Sequence, residues 1–94
     1  MRVYPPKGAL PVEIEPLLKN GDYALCDYDH CTGVESELWI IRAPNGDLGS
    51  FGTGKFGPFT VEKHEDGTIS VGPASMQFNT GKRYHGYLKK GVWT

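Results

Sequence analysis

Short apolar runs with a period of two, each closed by glycine, proline or a polar cluster, dominate this chain and predict strands. Glu37-Leu38-Trp39-Ile40-Ile41-Arg42 is the strongest of them. Its continuous apolar centre, rich in β-branched and aromatic residues, predicts a central strand buried on both faces. Asn45-Gly46 separates it from Asp47-Leu48-Gly49-Ser50-Phe51, and Asn-Gly predicts a hairpin with both residues at positive φ. Phe59 to His64 alternates, Glu65-Asp66-Gly67 turns, and Thr68 to Val71 returns as a second hairpin that Gly72-Pro73 should end. Arg83 to Leu88 and Val92-Trp93, joined at Lys89-Lys90-Gly91, read as a third. Tyr84 and Gly86 fall on one face of that strand, His85 and Tyr87 on the other.

The first quarter is less regular. Val3-Tyr4 opens as a strand, and residues 5–11, with three prolines and a glycine, form an extended connector. Val12-Glu13-Ile14-Glu15 alternates like a strand. Pro16-Leu17-Leu18-Lys19 is expected as one helical turn, with proline first and Asn20-Gly21 as its stop. Tyr23 to Cys26 is a strand that runs into the polar cluster 27–33. The expected architecture is a single all-β domain over residues 1–94: a small antiparallel roll, barrel or sandwich of three hairpins with at most one short helical turn.

Charge adds a polarity that the net value of −1 hides. Residues 1–47 hold four Lys or Arg against eight Asp or Glu, and residues 48–94 hold six against three. No acidic residue follows Asp66, so the last 28 residues carry four cations, Lys82, Arg83, Lys89 and Lys90, and no anion. Such asymmetry fits an acidic and a basic face on one body, or attraction between copies in a homo-oligomer. No apolar run is long enough to cross a membrane, and residues 1–6 lack the apolar centre of a signal peptide. The expected location is therefore the cytoplasm. Two cysteines, Cys26 and Cys31, do not make a disulfide framework.

Three groups of residues could carry chemistry. Gly52-Thr53-Gly54-Lys55-Phe56-Gly57 has the spacing of a phosphate-binding loop, in which main-chain N–H groups approach an anion and Lys55 adds charge. The strand and helix context of a dinucleotide fingerprint is missing, since Pro58 follows. Cys26, His30 and Cys31 are candidate zinc ligands, in a site that needs both cysteines and two of His30, His64 and His85 brought together by the fold. The bland alternative is one buried thiol, one loop thiol and an exposed acidic turn. Lys82, Arg83, Lys89 and Lys90 combine cations with the aromatic rings of Tyr84, His85, Tyr87 and Trp93, a pattern suited to acidic partners or stacked bases. Strands need alternating aromatics for their cores as well.

Asp66-Gly67-Thr68-Ile69-Ser70-Val71, Pro73, Ser75-Met76, Tyr84-His85-Gly86-Tyr87-Leu88 and Gly91-Val92-Trp93 together resemble the C-terminal pattern of a family of small β-rich proteins. Members of that family occur in tailed phages and beside bacterial ubiquitin-like conjugation genes. The resemblance covers the last third of the chain and implies a β fold, a phage-like origin and, with it, the host cell cytoplasm. Here Ala74 stands between Pro73 and Ser75, and no cysteine precedes His85 closely.

No serine or cysteine has a motif that would position a base and an oxyanion hole. The reading that follows is a non-enzymatic binding protein, a phage-encoded factor that occupies a host protein with an acidic surface or sequesters a ligand. A nucleotide or nucleic-acid binder using Lys55 and the basic hairpin, and a small hydrolase, are the alternatives.

Overall fold

The computed structural model describes residues 1–27, 32–33, 36–79 and 81–94. After an irregular start, a short helix α1 (Pro11–Ile14) continues into a 3₁₀ turn (Glu15–Leu17). Strands β1 (Tyr23–Cys26), β2 (Thr32–Gly33), β3 (Ser36–Arg42) and β4 (Leu48–Gly52) form one antiparallel sheet. After a 3₁₀ turn at Gly54–Phe56, strands β5 (Thr60–Lys63), β6 (Ile69–Gln77), β7 (His85–Lys89) and β8 (Val92–Trp93) form a second sheet in sequence order. The all-β expectation holds.

Strand β3 is the middle of the first sheet, with β1 and β4 paired along it and β2 paired with its beginning. Both of its faces are covered, as its apolar run predicts. Trp39 and Ile41 face the second sheet and pack with Tyr23, Phe51, Ile69, Val71 and Leu88. Ile40 faces the other way and packs with Ala24, Cys26, Ile14 and Leu18. The Trp39 and Phe51 rings, on directly paired residues, stack with centroids 6.2 Å apart, which adds to the area they bury.

Val12 to Glu15 is helical, not a strand. Pro11 supplies a first-turn φ with no N–H to leave unbonded, and the Glu13 carboxylate reaches back to accept the Leu10 N–H at 2.9 Å. Ile14 and Leu18, four residues apart, then share the buried side. Arg42 holds this segment from below: its Nε donates to the Leu18 carbonyl at 2.8 Å and its Nη1 to the Gly46 carbonyl at 2.9 Å. One guanidinium therefore joins the end of the helical segment to the β3–β4 turn.

All three expected hairpins form, and two share one turn design. Gly46 donates to the Ala43 carbonyl, Ala43 to the Asp47 carbonyl, and the Asp47 N–H to the Asn45 side chain. At the β5–β6 turn Gly67 donates to His64, His64 to Thr68, and the Thr68 N–H to the Asp66 side chain. These are three-residue loops with a left-handed glycine in third place, so Gly46 (φ +97°) has positive φ while Asn45 does not. The third hairpin, β7–β8, turns on Lys90 and Gly91, both at positive φ.

Two boundaries differ from expectation. Gly72-Pro73 does not end β6; the strand continues to Gln77, with its pairing to β7 shifting between Val71 and Met76. Its second half pairs with β7 as a further hairpin. Strand β7 begins at His85, because Arg83 has φ +57° and leaves the extended conformation.

The connection between turn and loop is made by Asp47. Its side chain is buried, and it accepts the Lys82 N–H at 2.8 Å, the Tyr84 N–H at 2.9 Å and the Asn45 side-chain amide at 3.1 Å. These bonds hold its carboxyl below the ordinary value, with the Lys82 N–H the largest cause and the Tyr84 N–H next. Gly81 approaches so closely that a Cβ there would collide with Asp47 Oδ1. Asp66, bonded by the Thr68 hydroxyl and N–H, is lowered in the same way.

Two outcomes follow from these turns. Gly46→Val should destabilise the fold by about 1 kcal/mol or more, read from urea unfolding, because a β-branched residue is forced into a left-handed conformation. Carboxylates with depressed folded values stabilise above their ordinary pKa of about 3.9, and that contribution is lost as pH falls through the folded value. The wild-type melting temperature should thus drop steeply in that acid range. Asp47→Asn should lower it at neutral pH and make the acid slope shallower; an unchanged slope would remove the Asp47 contribution.

Candidate functional site

The outer face of the second sheet is the most distinctive surface. Burial alternates along β7: Gly86 and Leu88 are buried, whereas His85, Tyr87 and Lys89 are exposed. Leu88 belongs to the core between the sheets, so Tyr87 points to solvent and is 41% exposed. Across it, Thr60, Ser70, Pro73, Lys89 and Lys90 line an open depression of about 640 Å³, with Glu62 the acidic residue at its side. The Lys89 ammonium lies 5.2 Å from the centre of the Tyr87 ring, a cation–π contact that orients both. Lys90 is placed by its turn and by its N–H, which donates to Ser70 Oγ at 2.9 Å.

Two serine–histidine pairs occur in this sheet. Ser75 Oγ and His85 Nε2 are 2.7 Å apart on the exposed side, and Ser70 Oγ and His64 Nε2 are also 2.7 Å apart. The second serine already accepts the Lys90 N–H, and Glu62 approaches His64 at the same ring nitrogen, at 3.6 Å. A nucleophile needs a base oriented through its second nitrogen. Neither pair has that arrangement among the described residues. Both read as bonds that fix strand side chains.

The basic residues do not form one patch. Lys82 and Arg83 precede β7, whereas Lys89 and Lys90 follow or end it, so the two pairs stand at opposite ends of a strand spanning roughly 15 Å. Tyr84 turns inward: its ring makes edge contacts with Phe78 at 6.1 Å and Trp93 at 5.5 Å. The Trp93 indole N–H donates to the Gly21 carbonyl at 3.0 Å, so that ring is committed to the fold as well. Of the expected aromatics, Tyr87 and His85 are directed outward. The signal lay in the alternation of Gly86 and Leu88 with His85, Tyr87 and Lys89, once Leu88 is taken as core.

Lys55 lies in the glycine-rich loop, with its ammonium 5.2 Å from the centre of the Phe56 ring. The loop is not a phosphate cradle as it stands. The N–H groups of Thr53, Lys55, Phe56 and Gly57 donate to Glu37 O, Ser36 Oγ, Thr53 O and Gly54 O respectively. A cradle needs those donors aimed at the ligand.

Cys26 is fully buried under the helical segment, with Sγ 3.8 Å from the Ala9 carbonyl. That layer lies on the side of the first sheet away from the second, which carries His64 and His85, so neither histidine can join Cys26. His30 and Cys31, the other zinc candidates, lie outside the described residues. Among the described residues no three His, Cys, Asp or Glu side chains are grouped to hold a metal, and no helix is long and apolar enough to cross a membrane.

No protein-family model, curated protein or solved structure matches this chain. Function therefore has to be argued from the surface itself. The inward and outward tyrosines can be told apart by stability: Tyr84→Ala should cost roughly 2 kcal/mol or more in urea unfolding, and Tyr87→Ala within about 0.5 kcal/mol of nothing. Equal losses would mean that the facing of β7 is misassigned.

Proposed function

We propose that this chain is a non-enzymatic binding protein that docks an acidic protein partner on the outer face of the β5–β8 sheet. The observation that carries the reading is Tyr87, a large exposed ring in the lining of a depression that Lys89 and Lys90 also line, with the Lys89 ammonium over the ring. Tyrosine offers wide contact area at low entropic cost, and lysines beside it complement carboxylates and raise the rate of encounter. Base stacking is less well served, because Tyr84 and Trp93 are turned into the fold and the rings left outward are Tyr87 and the His85 imidazole, which is hydrogen-bonded to Ser75 Oγ. On this proposal the chain acts as a phage-encoded factor that occupies a host protein.

Immobilised wild-type protein is expected to retain an acidic protein from bacterial lysate. Lys89→Glu with Lys90→Glu should lose it and flatten the salt dependence while the melting temperature stays nearly unaltered. Lys82→Glu with Arg83→Glu, at the far end of β7, should retain it. Equal retention by both double variants across a salt titration would contradict the proposal. Retention of nucleic acid, with affinity falling steeply in salt, would transfer this surface to the alternative reading.

A further inference from the structure

A second cavity lies at the end of the core, where the N-terminal segment crosses the β5–β6 turn. About 370 Å³ in volume, it is lined by Arg2, Tyr4, Tyr23, Asp66 and Thr68. Two polar atoms of its lining residues have no hydrogen-bond partner among the described residues. The Tyr23 side chain is fully buried and its hydroxyl is one of them, with the main chain of Ile69 beside it. Arg2 Nε is likewise buried without an acceptor. Leaving such groups unbonded costs folding free energy, so a fold that keeps two of them beside one cavity calls for an explanation.

The cation is also held in place. Its guanidinium carbon lies 4.7 Å from the centre of the Tyr4 ring and 5.1 Å from that of Trp39. The Arg2 main chain is fixed beside Tyr23, with the Val3 N–H donating to the Tyr23 carbonyl at 2.8 Å. Asp66, the carboxylate in the wall, does not pair with Arg2; it accepts the Thr68 N–H at 3.0 Å and the Thr68 hydroxyl at 2.6 Å. Burial raises the Tyr23 pKa, which keeps the phenol a neutral O–H donor. Tyr4, 70% exposed, also lines the cavity, with its ring against the Arg2 guanidinium.

We infer that this cavity binds a small oxyanion, a carboxylate or a phosphate, between the Arg2 guanidinium and the Tyr23 hydroxyl. Oxygen acceptors are what both unpartnered groups lack, and a planar guanidinium fixed on aromatic rings is suited to either anion. The volume falls in the range of small-ligand pockets. The site stands apart from the β7 surface and does not depend on it.

Because Arg2 sits over Trp39, the fluorescence of Trp39 in a Trp93→Phe background reads occupancy. Inorganic phosphate and acetate, titrated separately against chloride at matched ionic strength, distinguish the two oxyanions. A saturable response to at least one, weakened about tenfold or more by Tyr23→Phe and by Arg2→Lys, is expected. Tyr23→Phe removes an oxygen without a protein partner, so its melting temperature without added anion should equal or exceed that of the parent. A response to neither anion, one that chloride reproduces, or one that both substitutions leave unchanged would overturn the assignment. A large loss of stability in Tyr23→Phe would show that the hydroxyl serves the fold, and would overturn it as well.

Discussion

A single buried carboxylate sets the relation between the two sheets at the end where β7 begins. Asp47 belongs to the β3–β4 turn, yet two of its three hydrogen bonds go to main-chain N–H groups of residues 82 and 84. An ionised acceptor bonded to two amides is stronger than a neutral one, and burial shields it from solvent. Its grip carries the chain through the left-handed Arg83 and delivers Tyr84 to its place against Phe78 and Trp93. With Tyr84 inward and the Phe78 N–H donating to the Tyr84 carbonyl, β7 starts in a defined register. Everything outward on β7 follows from that phase: His85, Tyr87 and Lys89 are exposed because Tyr84, Gly86 and Leu88 are not.

Much of this fold was legible in the order of residues. The apolar centre of β3 announced burial on both faces, and each of the three expected hairpins carried glycine where a left-handed residue was needed. What escaped was decided by contacts remote in sequence. Val12 and Ile14 satisfy a period of two, but Ile14 and Leu18 satisfy a helix, and the Glu13 cap with Pro11 selects the helix. Gly72-Pro73 looks like an end, whereas pairing on either side of it carries β6 through as an irregular strand. Asn45 was expected at positive φ, and a three-residue loop needs that only of Gly46.

The candidate site was legible in composition more than in arrangement. Counting cations after Asp66 identified a basic end, but Lys82 and Arg83 are separated from Lys89 and Lys90 by the length of β7. Tyr84, expected beside His85 as a contact residue, lies on the buried phase of that strand, and His85 and Tyr87 lie on the exposed one. Asp47 gave little notice, since an Asp after Asn-Gly is ordinary in a turn, and its main-chain partners lie more than thirty residues away. The serine–histidine pairs and the glycine-rich loop look reactive as lists of residues. In place, their hydrogen bonds are directed at the protein itself, which leaves an exposed ring with adjacent cations as the feature best suited to recognition.

The dependence of this surface on Asp47 can be measured amide by amide through native-state hydrogen exchange. In the wild type the Lys82 and Tyr84 N–H groups should be protected, although they lie outside regular strands. Asp47→Ala should release both amides and speed exchange in the first residues of β7, while amides in the centre of β3 keep their relative protection. Wild-type protection of Lys82 and Tyr84 in that variant would contradict the account, because something other than the buried carboxylate would then be holding the loop.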